Sequence, residues 1–210
     1  MPIKSILSKL NFGIILLTCS TLYANTLIDT VLSQYGFSSF QKAEKIQFTF
    51  SAKVAGLGPK HKWIWWPKKD SVTSVDEKFS YSRKAMGEKE RAIDKKFIND
   101  QYWLIFPLHL GMDKDTQIEI DSSLSSSPKN KEMLRKIRVI YRTSGGYTPK
   151  DTYELFVQPD GIIREWTYFR NSGKIGASFT WENNQRYGGI LFSLKHQGLV
   201  NIDFSGIIVE

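Results

Sequence analysis

The 210-residue sequence contains one cysteine and three histidines, and this scarcity excludes several kinds of site. The single cysteine, Cys19, lies in an apolar amino-terminal stretch, so the rest of the chain has neither disulfide nor thiolate chemistry. His61, His109 and His196 are far apart, and none belongs to a His-Glu-x-x-His arrangement, which argues against zinc. We therefore expect no metal and no cofactor.

The sequence also lacks the motifs of common enzymes. It has no Gly-x-Ser-x-Gly elbow and no phosphate-binding glycine loop, and the glycine pair at 145–146 is typical of a turn. Two carboxylate pairs have strand spacing, namely Asp113 with Asp115 and Glu119 with Asp121. Such pairs are common in acidic stretches, and calcium loops need more oxygen ligands, so we expect them at the surface. The protein is therefore predicted not to be an enzyme.

The amino terminus resembles a secretory signal peptide. Lys4 and Lys9 form a basic region, and residues 10–18 are an apolar run too short to cross a bilayer as a helix. Small residues follow, so we predict that residues 1–24 are a signal peptide cleaved after Ala24.

A lipoprotein signal is the alternative reading of the same stretch. Residues 16–19 resemble a lipobox in which Cys19 would be lipidated, although Thr18 occupies a position where the pattern has Gly, Ala or Ser. With either signal the protein is expected in the periplasm. Residues 25–210 contain no internal repeat or low-complexity linker and are predicted to form one domain.

Positive charge exceeds negative charge in the protein as a whole. The net charge is +8, and it remains strongly positive without the two lysines of the predicted signal. This balance is compatible with contact at an anionic membrane surface. The lysines are scattered rather than grouped, and export argues against a nucleic-acid partner.

The segment Asp94–Leu110 is the strongest candidate for a helix. Its residues 102–106 are all apolar, and Pro107 predicts that the helix ends at Phe106. The residues that share its apolar face at helical spacing are Phe97, Ile98, Gln101 and Ile105. Such a helix must be buried on several sides, so we expect it on the concave side of a sheet, either filling the core or covering a ligand cavity as a mobile lid.

Most other segments alternate apolar and polar residues, as β-strands do. A short amphipathic helix with apolar residues from Leu27 to Tyr35 comes first and ends at Gly36, and a mobile loop is predicted at 122–131. The candidate strands are 46–54, 61–66, 70–75, 79–83, 116–121, 137–141, 153–157, 162–170, 175–181, 190–196 and 200–208. The predicted fold is mainly β (α+β): about eleven antiparallel strands in a curved sheet or half-barrel, an N-terminal helix, and an apolar central helix on the concave side.

This order of elements resembles the LolA/LolB-type lipoprotein-localisation carriers. Locally, Gly58–Pro67 followed by 72–81 is similar to the turn, Trp-containing strand, proline and short hairpin of those carriers, with Lys60 or Lys62 in place of their basic residue. Parts of the chain, Asp94–Leu110 among them, also look similar to uncharacterised exported bacterial proteins. The resemblance implies a half-open antiparallel barrel that holds acyl chains against an inner helical lid.

Aromatic side chains next to arginines form the predicted ligand site. Arg164, Trp166, Tyr168 and Arg170 alternate on one face of a strand, where the rings could contact a lipid tail and a guanidinium could bind a carboxylate or phosphate. The full set of predicted ligand-binding residues is Trp63, Trp65, Tyr102, Trp103, Phe106, Arg164, Trp166, Tyr168 and Trp181. The alternative is that these rings only fill the core, because burying each contributes roughly 2 to 3 kcal/mol without a ligand.

Together these features predict an exported periplasmic protein that binds a lipid or acyl chain, with a hydrophobic ligand or a lipidated protein as partner. One alternative is an interaction or assembly protein of the cell envelope with a filled core, and another is a hydrolase with an unrecognised site. A cavity between the central helix and the sheet would favour the carrier.

Overall fold

The computed structural model describes residues 26–142 and 149–210. The predicted signal peptide at 1–24, with Cys19 and the cleavage site after Ala24, lies outside the described residues. Most of the predicted turn that contains the glycine pair also lies outside them.

Three helices occur in the described parts of the chain. Helix α1 covers residues 26–35, α2 is Phe37–Lys42 and α3 is Glu88–Met112. Gly36 separates α1 from α2 with a φ of 75°, and a Cβ atom there would lie 2.2 Å from the carbonyl oxygen of Gly189. A glycine is therefore required at this position, and the predicted end of the first helix is confirmed.

Twelve strands in the described residues form two antiparallel sheets. The strands are β1 Ile46–Lys53, β2 Lys60–Trp66, β3 Ser71–Ser74, β4 Phe79–Ser82, β5 Thr116–Ser126, β6 Met133–Tyr141, β7 Thr152–Val157, β8 Ile163–Phe169, β9 Ala177–Thr180, β10 Glu182–Tyr187, β11 Ile190–Gln197 and β12 Asn201–Val209. The seven-stranded sheet has the order β10-β11-β12-β1-β2-β3-β4, and the five-stranded sheet has the order β5-β6-β7-β8-β9. In the described residues both sheets have open edges.

Strand β10 was not predicted from the sequence. Its residues Glu182–Tyr187 are almost all polar and show no apolar alternation. The strand forms because it lies at the edge of the seven-stranded sheet, where it pairs with β11 alone and both of its faces can remain solvated.

The prediction of a mobile loop at 122–131 was wrong for the first half of that segment. Strand β5 continues to Ser126, past a register shift that follows Ile120, so it is longer than the predicted strand. The turn after it is held by the buried carboxylate of Glu165, which accepts hydrogen bonds from the Ser127 hydroxyl and from two backbone N–H groups at 2.7 Å. These contacts come from a strand 35 or more residues away and leave no local sequence signal.

The predicted end of the central helix at Phe106 was also wrong. Helix α3 begins at Glu88 and continues to Met112 with Pro107 inside it, and Ile105 has non-helical backbone angles of −126° and 19°. Proline removes one backbone hydrogen bond and disfavours helical geometry just before it, which explains the local kink. The helix resumes because the residues on both sides of the kink are buried in the core.

Trp181 marks the passage of the chain from the five-stranded to the seven-stranded sheet. It follows β9 directly and precedes β10, and its backbone N–H donates to the carbonyl oxygen of Arg164 at 2.8 Å. Its ring is fully buried against Trp166 and His196, which belong to different sheets. The two sheets therefore meet at this buried corner.

Helix α3 packs against both sheets. Phe97 contacts Phe48 and Trp63 of the seven-stranded sheet, and Phe106 contacts Tyr153 and Trp166 of the five-stranded sheet. The prediction of a mainly β fold in which curved antiparallel strands hold an apolar helix is confirmed.

Candidate functional site

A buried carboxylate fastens the first half of α3 to the seven-stranded sheet. Asp94 is fully buried and accepts hydrogen bonds from the Tyr81 hydroxyl and from Nε of Arg83, both at 2.9 Å. Burial raises the pKa of the Asp94 carboxyl above its ordinary value, although Arg83 and Tyr81 favour the ionised form. Removing either partner would weaken the hydrogen bonding of a fully buried carboxylate, so this contact fixes the helix position.

A second buried carboxylate lies further along the same side of the helix. Asp100 accepts a hydrogen bond from Nε1 of Trp63 at 2.8 Å and lies 2.7 Å from Nδ1 of His61. Burial raises the pKa of the Asp100 carboxyl. Phe97 packs edge-on against both Trp63 and Trp65, with ring centroids 5.6 and 5.7 Å away. This side of α3 is therefore filled.

A cavity of about 480 Å³ lies on the other side of α3, between the helix and the five-stranded sheet. Its size falls within the range of pockets that bind small molecules. The residues that line it are Lys95, Ile98, Asn99, Tyr102, Trp103, Pro149, Asp151, Tyr153, Trp166, Tyr168, Arg170 and Asn171. They come from α3, from strands β7 and β8, and from the ends of two loops.

Aromatic rings form the inner wall of this cavity. Trp103 of α3 meets Trp166 of β8 edge-on, with ring centroids 4.6 Å apart. Tyr153 lies 5.1 Å from Trp166 and 5.2 Å from Tyr168, so the rings continue along the sheet towards the loops. The inner wall of the cavity is therefore aromatic, while its remaining lining is mostly polar.

The opening of the cavity is polar and positively charged. Lys95 and Arg170 are exposed there, one on the helix and one on the loop after β8, and neither forms an ion pair with any other described residue. Asp151 is buried, and its carboxylate accepts hydrogen bonds from the Tyr168 hydroxyl at 3.0 Å and from the backbone N–H of Asn171 at 2.8 Å. Both donors to Asp151 are neutral groups and neither Lys95 nor Arg170 is ion-paired with it, so the two cations remain available to an anionic ligand group.

Burial raises the pKa of Tyr168 to about 12, and the hydrogen bond that its hydroxyl donates to Asp151 adds to this shift. Tyr168 is therefore neutral at physiological pH. Its ring is part of the apolar wall, and its hydroxyl holds the loop that frames the opening.

A polar network holds the far end of the helix against the five-stranded sheet. Asp113 accepts hydrogen bonds from the hydroxyls of Tyr141 and Tyr102, and Nδ1 of His109 lies 3.0 Å from its carboxylate. Burial alone would raise the pKa of Asp113, but the hydrogen bonds from His109 and the tyrosines hold it below its ordinary value. Nε2 of His109 is 3.2 Å from Oε1 of Gln101. Asp113 was predicted at the surface, and it is half-buried, because the tyrosines and His109 cover part of its carboxylate.

Four of the predicted ligand-binding residues come together in the cavity lining: Tyr102, Trp103, Trp166 and Tyr168. The other five lie outside it. Phe106 and Trp181 are buried beneath Trp166, and Arg164 is 3.7 Å from Glu132 near the opposite end of β8. Trp63 and Trp65 lie on the filled side of α3.

Several lining residues were absent from the predicted set. Lys95 is four residues before Asn99, and Asn99 is three residues before Tyr102, so helical spacing could have placed all three on the same face. Tyr153 alternates with apolar neighbours and was predicted only as a strand residue. Asp151 gave no signal, because its role depends on a loop 20 residues further on.

The described residues contain no cluster of three or more side chains suited to holding a metal ion. In the same part of the chain, none of the helices combines the length and apolar character needed to cross a bilayer.

Neither a known protein-family profile nor a curated protein matches this sequence. Solved structures do match its fold. A LolA superfamily protein from Nitrosomonas europaea superposes with a TM-score of 0.54 at 9% identity, covering 89% of this chain and 93% of that one. A DUF1329 family protein from Desulfovibrio piger superposes with a TM-score of 0.50 at 9% identity, covering 89% and 92%. The resemblance predicted from the sequence is therefore confirmed at the level of the fold, and the chain is LolA-like in architecture.

Proposed function

We propose that the protein is an exported, non-enzymatic carrier that binds a lipid or acyl chain in the cavity between α3 and the five-stranded sheet. The observation that carries this proposal is the aromatic-walled cavity of about 480 Å³ beside a helix that is otherwise tightly packed. The LolA-like fold supports the same class of function, with a free lipid or a lipidated protein as partner and the periplasm as the place of action.

The lining defines how such a ligand lies. The tail packs against Trp103 and Trp166, where each buried methylene contributes about 0.8 kcal/mol. An anionic head group lies at the opening beside Lys95 and Arg170, which form no ion pair with other described residues. The ligand is therefore an amphiphile with an acidic head rather than a neutral oil.

Helix α3 is expected to keep a fixed position in such a carrier. The buried carboxylates Asp94 and Asp100 and the half-buried Asp113 at its end hold the helix, so opening the whole helix would break charged hydrogen bonds at several points. The ligand instead enters past the exposed opening between the helix and the loops.

A fluorescent fatty acid tests the proposal directly. Saturable binding is expected, and Trp103→Ala is expected to weaken it about tenfold because the variant removes one wall of the cavity. Trp65→Ala is the matched control, since it removes the same kind of ring from the filled side of the helix and should leave the affinity unchanged. Absence of saturable binding, or equal losses in both variants, would contradict the proposal.

The head-group assignment has its own measurement. A fatty acid and the fatty alcohol of equal length compete for the probe, and the acid should compete better in the native protein. Arg170→Glu should remove most of this preference while the alcohol competes as before. A preference that persists in the variant would place the head group elsewhere.

A further inference from the structure

Three hairpin loops turn at one end of the molecule. They are the β1/β2 loop at 54–59, the β11/β12 loop at 198–200 and the β8/β9 loop at 170–176. Lys53 pairs with Asn201, so the first two loops emerge side by side from neighbouring strands.

The β8/β9 loop reaches the same end from the other sheet. The backbone N–H of Gln197 donates to Oγ1 of Thr180 at 3.0 Å, which places the end of β11 beside the end of β9. Gly198, the first residue after β11, lies against the ring of Phe179, which precedes Thr180 in β9. The segment that leads into β9 therefore extends past Gly198 in the direction of the β11/β12 loop.

The tips of these loops carry exposed apolar side chains. Ile175, Leu199 and Leu57 are 92%, 82% and 81% exposed, and they are the three most exposed large apolar side chains among the described residues. Val54 in the first loop is also exposed. A single exposed apolar residue needs no explanation, but three extreme cases at one end indicate a contact surface.

Basic residues accompany these tips. Lys53 and Lys60 flank the first loop, Lys174 precedes Ile175, and all three are exposed. The loops themselves contain no acidic residue. The neighbouring β3/β4 turn carries Asp76 and Glu77, whose charges are engaged by the backbone of β2 and by a lysine of α3. Apolar tips framed by lysines complement a bilayer whose head groups are anionic.

The tips are continuous with the opening of the cavity. The β8/β9 loop contributes Arg170 and Asn171 to the cavity lining and presents Ile175 at its tip. A lipid surface in contact with this end would therefore lie beside the cavity opening.

We propose that the end of the molecule formed by these three loops, the loop end, docks on a membrane surface that contains anionic lipids. Leu57, Ile175 and Leu199 enter the boundary between head groups and acyl chains, and the flanking lysines contact lipid phosphates. This docking is a property of the loops, so it is separable from ligand binding in the cavity.

Vesicle flotation tests the docking surface. The native protein should float with vesicles that contain phosphatidylglycerol, less so at high salt, and much less with phosphatidylcholine alone. A triple variant that replaces the exposed apolar residues of the loops, Leu57→Ser, Ile175→Ser and Leu199→Ser, should lower the apparent affinity for these vesicles at least about tenfold. The matched control is Leu124→Ser with Met133→Ser, which removes two exposed apolar residues at the opposite end of the five-stranded sheet and should bind as the native protein does.

The amino terminus is common to all these variants, so the difference between them reports on the loops alone. The proposal is overturned if native protein does not float, if the tip variant floats like the native protein, or if the control loses as much as the tip variant. Association of the native protein with itself through the tips, without vesicle binding, would also overturn it.

A local probe gives a second readout that does not depend on overall affinity. In a Cys19→Ser background, an environment-sensitive dye attached at Leu57→Cys should increase its emission when vesicles with phosphatidylglycerol are added. The same dye attached at Leu124→Cys should not respond. Equal responses at both positions would show that the loop end does not insert.

Discussion

The buried histidine of β11 leads to a pH dependence whose size follows from its surroundings. His196 is fully buried, Nδ1 lies 3.1 Å from the carbonyl oxygen of Thr180, and the ring packs against Trp103, Trp181 and Phe204. Burial lowers the pKa of His196 from 6.5 to about 4. The folded protein therefore keeps this ring neutral at a pH where the unfolded chain protonates it.

The sign of the effect follows directly. Between the two pKa values the unfolded state binds more protons, so the free energy of unfolding falls as the pH falls. One pKa unit corresponds to about 1.36 kcal/mol. His196 alone therefore lowers the free energy of unfolding by about 2 kcal/mol at about pH 5 and by about 3 kcal/mol at about pH 4. Above about pH 7 it contributes no pH dependence.

Urea unfolding of the native protein and of His196→Asn, at neutral pH and at about pH 5, measures this contribution. The variant is expected to be less stable overall, but it should lack about 2 kcal/mol of the acid-induced loss. Other carboxyls titrate in both proteins: the raised pKa values of Asp94 and Asp100 favour folding on acidification, and the lowered pKa of Asp113 opposes it. These contributions cancel in the comparison. Identical pH dependence in both proteins would refute the assignment of a neutral buried histidine.

Three further substitutions are expected to affect stability. Phe97→Ala should lower the free energy of unfolding by about 3 to 5 kcal/mol because the ring packs on Trp63 in the filled part of the core, while a fatty-acid probe should still bind. Asp94→Ala should cost about 3 kcal/mol, since it leaves the charge of Arg83 without its buried partner, and Asp94→Asn should cost less. Gly36→Ala should cost more than about 1 kcal/mol, because its φ is positive and the added methyl group meets a backbone carbonyl. Chemical denaturation measures all three, and native-like stability of any of them would contradict the packing described for it.

Alternation along the chain was sufficient to predict eleven of the strands and the burial of the central helix. Ile46, Phe48 and Phe50 are indeed on the buried face of β1, as period-two burial requires. The prediction failed where long-range contacts override local preference. Pro107 stays inside α3 because the core surrounds both sides of the kink, and Glu182–Tyr187 forms a strand because an edge position tolerates polar residues on both faces.

The same distinction holds for the candidate site. Tyr102, Trp103, Trp166 and Tyr168 were predicted as ligand contacts from aromatic content and spacing, and the structure brings them together around one cavity. Trp63 belonged to the same predicted set by the same reasoning, but it lies across the helix in a filled layer. Aromatic pattern alone does not distinguish a ring at a cavity from a ring in the core, because both positions are apolar.

The sequence by itself determined that an apolar segment lies among antiparallel strands, because burial of non-polar surface dictates periodicity within each element. Only the tertiary structure decided which side of α3 is filled and which is open. That choice depends on where the buried carboxylates Asp94 and Asp100 find partners on the seven-stranded sheet, and on the looser packing that the described residues leave opposite Lys95 and Asn99. Contacts between residues far apart in the chain made that choice, and no local pattern encodes them.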